Sequence, residues 1–377
     1  MNVYDFLGVR RYINAYTTAT AIGGSIMPDE VLDAMREASQ SHVQLKDLID
    51  RANAYIAKIT NNEAAAICNS AASGVLLSVA ACMCEGDGGK WQKLPDTSGM
   101  KNEIVVNYHN PCGFEPSITC SGAKIVEYGD KNGITEKDLE AAITDKTAAV
   151  FSFHYGAFDV ERGQLPIEKQ AEIAHKYGVP YIVDAAAQIP RKENLWRFTR
   201  DMGADIAIFS GGKGLKGPQS SGLIVGKRNT VGFLAEHAFP NGGGIGRQMK
   251  IGKEEIIGLM TAVKIYVEQD EDALIESYEE MVRQVMRAFE SESAVTTDRQ
   301  FPSDAGQPMP KAVVRLNDGA LKINARQFAE ILRDEGNPGI YVMNTETELL
   351  INLQTLVKGD LEIVIDRIKQ TINDNKN

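Results

Sequence analysis

A chain of 377 residues with 43% apolar and 24% charged side chains is large enough for two domains, each with its own core. Its 51 acidic against 40 basic side chains leave a net charge of −11, which argues against a nucleic-acid partner, since such a surface needs clustered Lys and Arg. No apolar run approaches the ~18 residues of a membrane span, and the first residues show no basic stretch leading into an apolar one, so neither a membrane nor a secretory signal is expected.

In chain order, residues 5–26 read as an N-terminal arm with turn glycines at Gly8, Gly23 and Gly24 and little helical periodicity. Residues 28–41 predict a helix, with Pro28 near its first turn and Val31, Leu32 and Met35 apolar. Leu45–Ile59 predicts a second helix, striped by Leu45, Leu48, Ile49, Ala52, Ile56 and Ile59. Strands and helices then alternate. Ala64–Cys68 is a short apolar strand, the small-residue turn 69–74 follows, and residues 75–84 form an apolar helix. Further strands are predicted at Glu103–Asn107, Lys124–Tyr128, 148–153, 180–184, 205–209 and Gly222–Gly226, with helices over 135–143 and 167–177. Short, continuously apolar strands are those buried on both faces, which predicts a mainly parallel sheet with helices on both sides.

After long helices at Lys253–Glu268 and 270–288 the pattern changes to a strand at 312–316, a helix at 324–335, strands at 340–343 and 349–352, and a helix at 359–373. This is a smaller α+β unit. The expected organisation is therefore an N-terminal arm over 1–45 packing on the small domain, a large domain over 46–255, and a small C-terminal domain over 256–377. The five cysteines, Cys68, Cys82, Cys84, Cys112 and Cys120, are odd in number and lack framework spacing. They point to free thiols in a reducing, cytoplasmic compartment. Cys82 and Cys84 lie in an Ala-rich helical stretch with no His or Cys partner, so packing is preferred over metal binding.

Two constellations carry the chemistry. Tyr181-Ile182-Val183-Asp184 is a buried strand ending in a carboxylate, at the sheet edge where open α/β folds bind ligands. An Asp capping the next turn is the competing reading. Ile206-Ala207-Ile208-Phe209-Ser210-Gly211-Gly212-Lys213-Gly214 is a second buried strand running into a glycine-rich turn. Glycines on both sides of Lys213 permit close approach of a ligand, and a desolvated lysine there drops in pKa, as imine formation needs. A phosphate loop fails on two counts. Its first glycine would fall at Ala207, and Gly214 stands where Ser or Thr is required. A carboxylate for a pyridinium nitrogen and an imine lysine, each at the end of a buried strand, is the pair that pyridoxal 5′-phosphate (PLP) requires.

The turn 69–74 places small residues before a helix, where backbone N–H groups can meet a phosphate; an ordinary capped turn competes. Tyr108-His109-Asn110 follows a strand, and His109 is the choice for a ring stacked on a pyridine, against an exposed loop histidine. His154, after the strand 148–153, could also face the cofactor, while His42, His175 and His237 read as structural or surface groups.

The stretch from Asp184 to Gln188, with Gly203-Ala204-Asp205, Ser210 to Lys213 and Pro218-Gln219-Ser220-Ser221-Gly222, resembles the bacterial selenocysteine synthase (L-seryl-tRNA selenium transferase) group. Arg11-Tyr12-Ile13-Asn14-Ala15 and Gly246-Arg247 through Lys250-Ile251-Gly252-Lys253 resemble the same group, so the likeness spans nearly the whole chain. It implies an α/β, fold type I (aspartate aminotransferase-like) PLP enzyme with a smaller α+β C-terminal domain. By this resemblance Lys213 holds PLP as an imine and Asp184 meets the ring nitrogen. Ser73, Gly74 and Ser210 approach the phosphate, Gln188 joins the cofactor-binding set, and His109 falls near the ring. A homodimer or assembly of dimers, with active sites at the subunit interface, is also implied.

The transferase carries a tRNA-binding domain ahead of the lead-in that here begins at about residue 11, and an Arg-Gly-Glu-like stretch where this chain has Tyr108-His109-Asn110. The chain is more similar to the shorter members of the D-glucosaminate-6-phosphate ammonia-lyase type. The expected reaction is an α,β-elimination on a small 2-amino-3-hydroxy acid, giving a 2-keto acid and ammonia, with Lys213 as base. Arg247, Lys250 and Arg315 are the expected anion anchors. Racemisation, aldol cleavage, selenium transfer and a non-catalytic binding role are the alternatives on the same scaffold.

Overall fold

The computed structural model describes residues 2–109, 113–161 and 163–377. They form two compact units, one from Met27 to Gln269 and one joining the segment up to Ile26 with Asp270–Asn377.

The larger unit is built on a seven-stranded sheet of order β2-β8-β7-β6-β5-β3-β4. Its strands are β2 (Ala64–Cys68), β3 (Glu103–Asn107), β4 (Lys124–Tyr128), β5 (Thr147–Phe153), β6 (Tyr181–Asp184), β7 (Ile206–Ser210) and β8 (Gly222–Gly226). The pairs β3–β4, β3–β5, β5–β6 and β6–β7 are parallel, whereas β8 is antiparallel to both β7 and β2. The chain therefore runs the same way in β2, β3, β5, β6 and β7, and their carboxyl ends share one edge. Side chains alternate between two cores. Val105, Val150, Val183, Ala207 and Val225 face the core shared with the helices Leu45–Ile59, Ile167–Lys176 and Lys253–Glu268. Ile104, Phe151, Ile182, Ile208 and Ile224 face the opposite core, which contains the helix Ala71–Cys84. Burial on both faces is why these strands read as unbroken apolar runs.

The smaller unit has a five-stranded sheet of order β1-β11-β12-β10-β9. These are β1 (Tyr12–Ala15), β9 (Val295–Gln300), β10 (Lys311–Leu316), β11 (Gly339–Asn344) and β12 (Glu348–Asn352). β1 runs parallel to β11, pairing Tyr12 with Gly339 and Ala15 with Val342, and the other pairs are antiparallel. The arm thus holds a strand that its turn glycines obscured in the sequence, and β9 was likewise not anticipated, since Thr296, Asp298 and Arg299 make it polar.

The units part at Ile26 and Gln269, where the sequence reading placed boundaries at 45 and 255. Packing explains the difference: the helix Asp29–Ser39 lies against Lys253–Glu268, so both stay with the larger unit.

Candidate active site

Three strand ends of the larger unit build the site. In register, Asp184 of β6 lies beside Phe153 of β5 and Ile208 of β7. β7 continues two residues further to Ser210, which lies opposite Gly222 of β8, itself opposite Cys68 of β2.

Asp184 accepts a hydrogen bond at Oδ1 from the Ala186 N–H at 2.9 Å, and its carbonyl accepts one from the His154 N–H at 2.9 Å. Burial pushes its carboxyl up to about 6, against the opposing influence of the Ala186 N–H, Lys213 and His154. Lys213 shows the converse: burial lowers its ammonium, and the Asp184 charge opposes that. The two groups are electrostatically coupled at one sheet edge, although 29 residues separate them in sequence.

The turn that carries Lys213 is closed by backbone bonds from Gly211 N–H to Ser221 O (3.0 Å), Gly217 N–H to Gly211 O (2.8 Å) and Lys216 N–H to Lys213 O (3.0 Å). Its glycines are required by the protein's own packing. A Cβ on Gly211 would overlap Ser221 Oγ, one on Gly212 would lie 2.6 Å from Gln219 Cα, and one on Gly214 would lie 2.6 Å from Ile189 O. Gly212→Ala is expected to cost about 1–3 kcal/mol, read as a fall of several degrees in Tm. An unchanged Tm would show that the turn has room for a methyl group.

Before the helix Ala71–Cys84, Ser70 is the N-cap, and its Oγ accepts from the Ser73 N–H at 3.0 Å and lies 2.9 Å from Ser73 Oγ. Gly74 lets this helix lie close on β7, because its Cβ would sit 2.8 Å from Ile208 Cγ2. Asn69 Oδ1 is buried with no hydrogen-bond partner among the described residues. A capped helix start with hydroxyls beside it is suited to an anion.

Gln188 is buried, and its Nε2 donates to His154 O at 3.1 Å, bracing the loop after β6 against the end of β5. Ser210 is half-buried at the end of β7. His109 follows β3, with its N–H donated to Asn107 Oδ1 at 2.8 Å and its ring edge-on to Tyr108 at 5.2 Å. Asn110 and Pro111, which end that predicted loop, and Cys112 lie outside the described residues.

The sequence offered His154 as a group that could face the cofactor, but neither its partner Asp159 nor the backbone of Lys216 was foreseen. His154 Nδ1 is hydrogen-bonded to Asp159, and its ring packs edge-on against Phe198 at 5.1 Å. Asp159 Oδ1 accepts from the Tyr155 N–H at 3.0 Å and Gln164 Nε2 at 3.1 Å. A histidine directly after a buried strand, at the level of Asp184, was the available signal. Lys216 is a non-glycine residue at φ +55°, in the left-handed region that costs about 1–2 kcal/mol for an L-residue.

The anchors expected from sequence are Arg247, Lys250 and Arg315. Arg247 is exposed and stacks over Phe239 at 5.5 Å, and Lys250 is exposed. Arg315 belongs to β10 of the smaller unit, where its Nε donates to Glu348 Oε1 at 2.8 Å. That guanidinium already has a carboxylate.

A mainly parallel seven-stranded sheet, with a buried carboxylate and a desolvated lysine on its carboxyl edge, defines the fold type I class of PLP-dependent enzymes. A structure of SPT with PLP shares the fold alone, at a TM-score of 0.60 and 11% identity over 96% of this chain and 88% of that one. The chain belongs to the L-seryl-tRNA selenium transferase (SelA) family, whose model matches residues 13–295. It is 30% identical to a D-glucosaminate-6-phosphate ammonia lyase of Salmonella typhimurium, covering 98% of this chain and 97% of the relative. It is also 30% identical to a 5′-C-glycyluridine monooxygenase-decarboxylase of a Streptomyces species, over 98% and 92% of the two chains. A solved D-glucosaminate-6-phosphate ammonia-lyase superposes with a TM-score of 0.86 and 28% identity, covering 99% of each chain.

Proposed function

We propose that this chain is a PLP-dependent lyase that eliminates the β-hydroxyl of a small 2-amino-3-hydroxy acid, D-glucosaminate-6-phosphate being the first substrate to try, and releases a 2-keto acid with net loss of ammonia. The observation that supports this most directly is the coupled Asp184–Lys213 pair at the carboxyl edge of a sheet matched end to end by an ammonia lyase.

The donor set suits PLP. Asp184 would hold the ring nitrogen, Lys213 the aldehyde carbon, and Ser70, Ser73, Gly74 and Ser210 the phosphate end, with Gln188 bracing the cofactor loop and His109 beside the ring. Bound there, PLP supplies an electron sink for the charge left at the substrate Cα. Asp184 sustains the positive ring nitrogen, since a carboxylate held in low dielectric acts strongly on a nearby cation. Lys213, its ammonium weakened by burial, takes the Cα proton as general base. The β-hydroxyl would then leave as water with the proton returned by Lys213, and the released enamine, once tautomerised to an imine, would take up water to give a keto acid and ammonia. His154, held at Nδ1 by Asp159, keeps its ring fixed beside the Asp184 strand.

A homodimer or an assembly of dimers agrees with the helix Val3–Leu7, which buries none of its residues and exposes Val3, Phe6 and Leu7. A cytoplasmic location agrees with unpaired Cys68, Cys82, Cys84 and Cys120. Among the described residues, no helix is long and apolar enough to cross a membrane. The partner in this reading is a small amino acid or sugar acid.

Purified protein loaded with PLP should release keto acid and ammonia in equal amounts from a phosphorylated or plain 2-amino-3-hydroxy acid. Racemisation without ammonia would remove the lyase reading. Oxygen-dependent release of carbon dioxide would favour chemistry of the monooxygenase-decarboxylase type instead.

A further inference from the structure

Lys213 is not the only lysine of its turn. Lys213 and Lys216 are the first and last residues of a four-residue turn closed by the 3.0 Å bond from Lys216 N–H to Lys213 O. Both side chains are half-buried. Lys213 has the Asp184 carboxylate as a counter-charge. Lys216 has none among the described residues, and burial acts on its ammonium, pulling it below the usual lysine range. The turn therefore sets two buried cations against one buried carboxylate, and an uncompensated buried charge is costly. The backbone compounds this, since Lys216 sits at φ +55°, where glycine would be free of strain. Two unfavourable features at one side chain, three residues from the imine lysine, are expected where the side chain has a task.

We propose that Lys216 is an anion anchor, its ammonium pairing with a phosphate or carboxylate of the substrate. The cofactor's own phosphate is provided for elsewhere, at the capped start of the helix Ala71–Cys84, with Ser70 and Ser73. The word substrate rests on the lyase reading above, but the anion site does not.

The test uses the PLP-loaded protein and three variants: Lys216→Met keeps the aliphatic stem, Lys216→Gly also relieves the backbone, and Lys216→Arg keeps the charge. Inorganic phosphate binding is measured by calorimetry, beside the visible cofactor band, Tm, and KM for a phosphorylated and a plain 2-amino-3-hydroxy acid. Met and Gly should each weaken phosphate binding and raise KM by about 10–100-fold, as loss of one charge-assisted contact predicts. The cofactor band should persist, the Gly variant should melt no lower than the parent, and Arg should restore most of the binding. A KM rise confined to the phosphorylated compound assigns the phosphate, and an equal rise in both assigns the carboxylate. Unchanged phosphate affinity in the Met variant overturns the proposal. So does a loss of PLP occupancy in the Met and Gly variants, which would give Lys216 to the cofactor. Phosphate binding needs no turnover, so an absent cofactor band in the parent would defeat the lyase reading while the anion site is still judged by calorimetry.

Discussion

Lys213→Ala is expected to lose the visible imine band of bound PLP and to lower turnover by at least about 10³-fold, the scale set by removing a general base that is also the covalent attachment. The structure gives the reason. Among the described residues Lys213 is the amine coupled to Asp184, and burial depresses its ammonium below the usual lysine range, which favours the free amine. The variant should still fold, because the turn is closed by backbone bonds and by glycine contacts that an alanine at 213 leaves alone. Circular dichroism and Tm close to the parent would exclude a folding defect, and added methylamine should return part of the activity. A band that survives the substitution and is still erased by borohydride would move the attachment to another lysine, Lys216 being the first to examine.

Asp184→Asn should produce two effects of opposite sign. With PLP bound, turnover falls by about 10²–10³-fold, since a neutral amide no longer stabilises a positive ring nitrogen in a dry site. Without PLP, the variant becomes the more stable protein as pH rises. Burial, only partly offset by the Ala186 N–H, Lys213 and His154, lifts the folded carboxyl from the usual 3.8 to about 6. A folded pKa above the unfolded one favours the folded state below about pH 4, and that contribution is lost as pH rises through about 6. Asparagine does not titrate, so its advantage should grow across that window, by about 3 kcal/mol at most. Urea melts of the cofactor-free proteins at pH 4.5, 6 and 8 would measure this. A difference that is flat with pH would mean that Asp184 titrates as it does in the unfolded chain. The ionised carboxylate thus carries a stability cost, which the role proposed for it beside the cofactor would justify.

Much of this architecture was legible in one dimension. Strands β2, β3 and β5 to β8 announce themselves as short apolar runs because both of their faces are buried, and the helix stripes follow from one-sided burial. β1 and β9 were not legible. One hides among turn residues, and the other is a polar strand whose place is settled by pairing with β10. The unit boundaries were displaced for a similar reason, since the packing of Asp29–Ser39 against Lys253–Glu268 involves residues more than 200 positions apart. His154 and Asp159 were present in the sequence, yet their hydrogen bond is a fact of loop geometry.

For Lys213 the division is plain. The amino-acid sequence by itself determined that a lysine follows a buried strand in a glycine-rich turn, that an aspartate ends another strand, and that the spacing is wrong for a phosphate loop. Residue type and local periodicity carry that much, because they depend only on near neighbours along the chain. The tertiary structure decided that β6 and β7 are adjacent and parallel, and that Asp184 and Lys213 shift one another's protonation. It also decided that the glycines serve Ser221, Gln219 and Ile189, and that Lys216 is a second buried cation on the same turn. Those properties depend on desolvation and close packing between segments distant in sequence, and they exist only once the sheet has assembled.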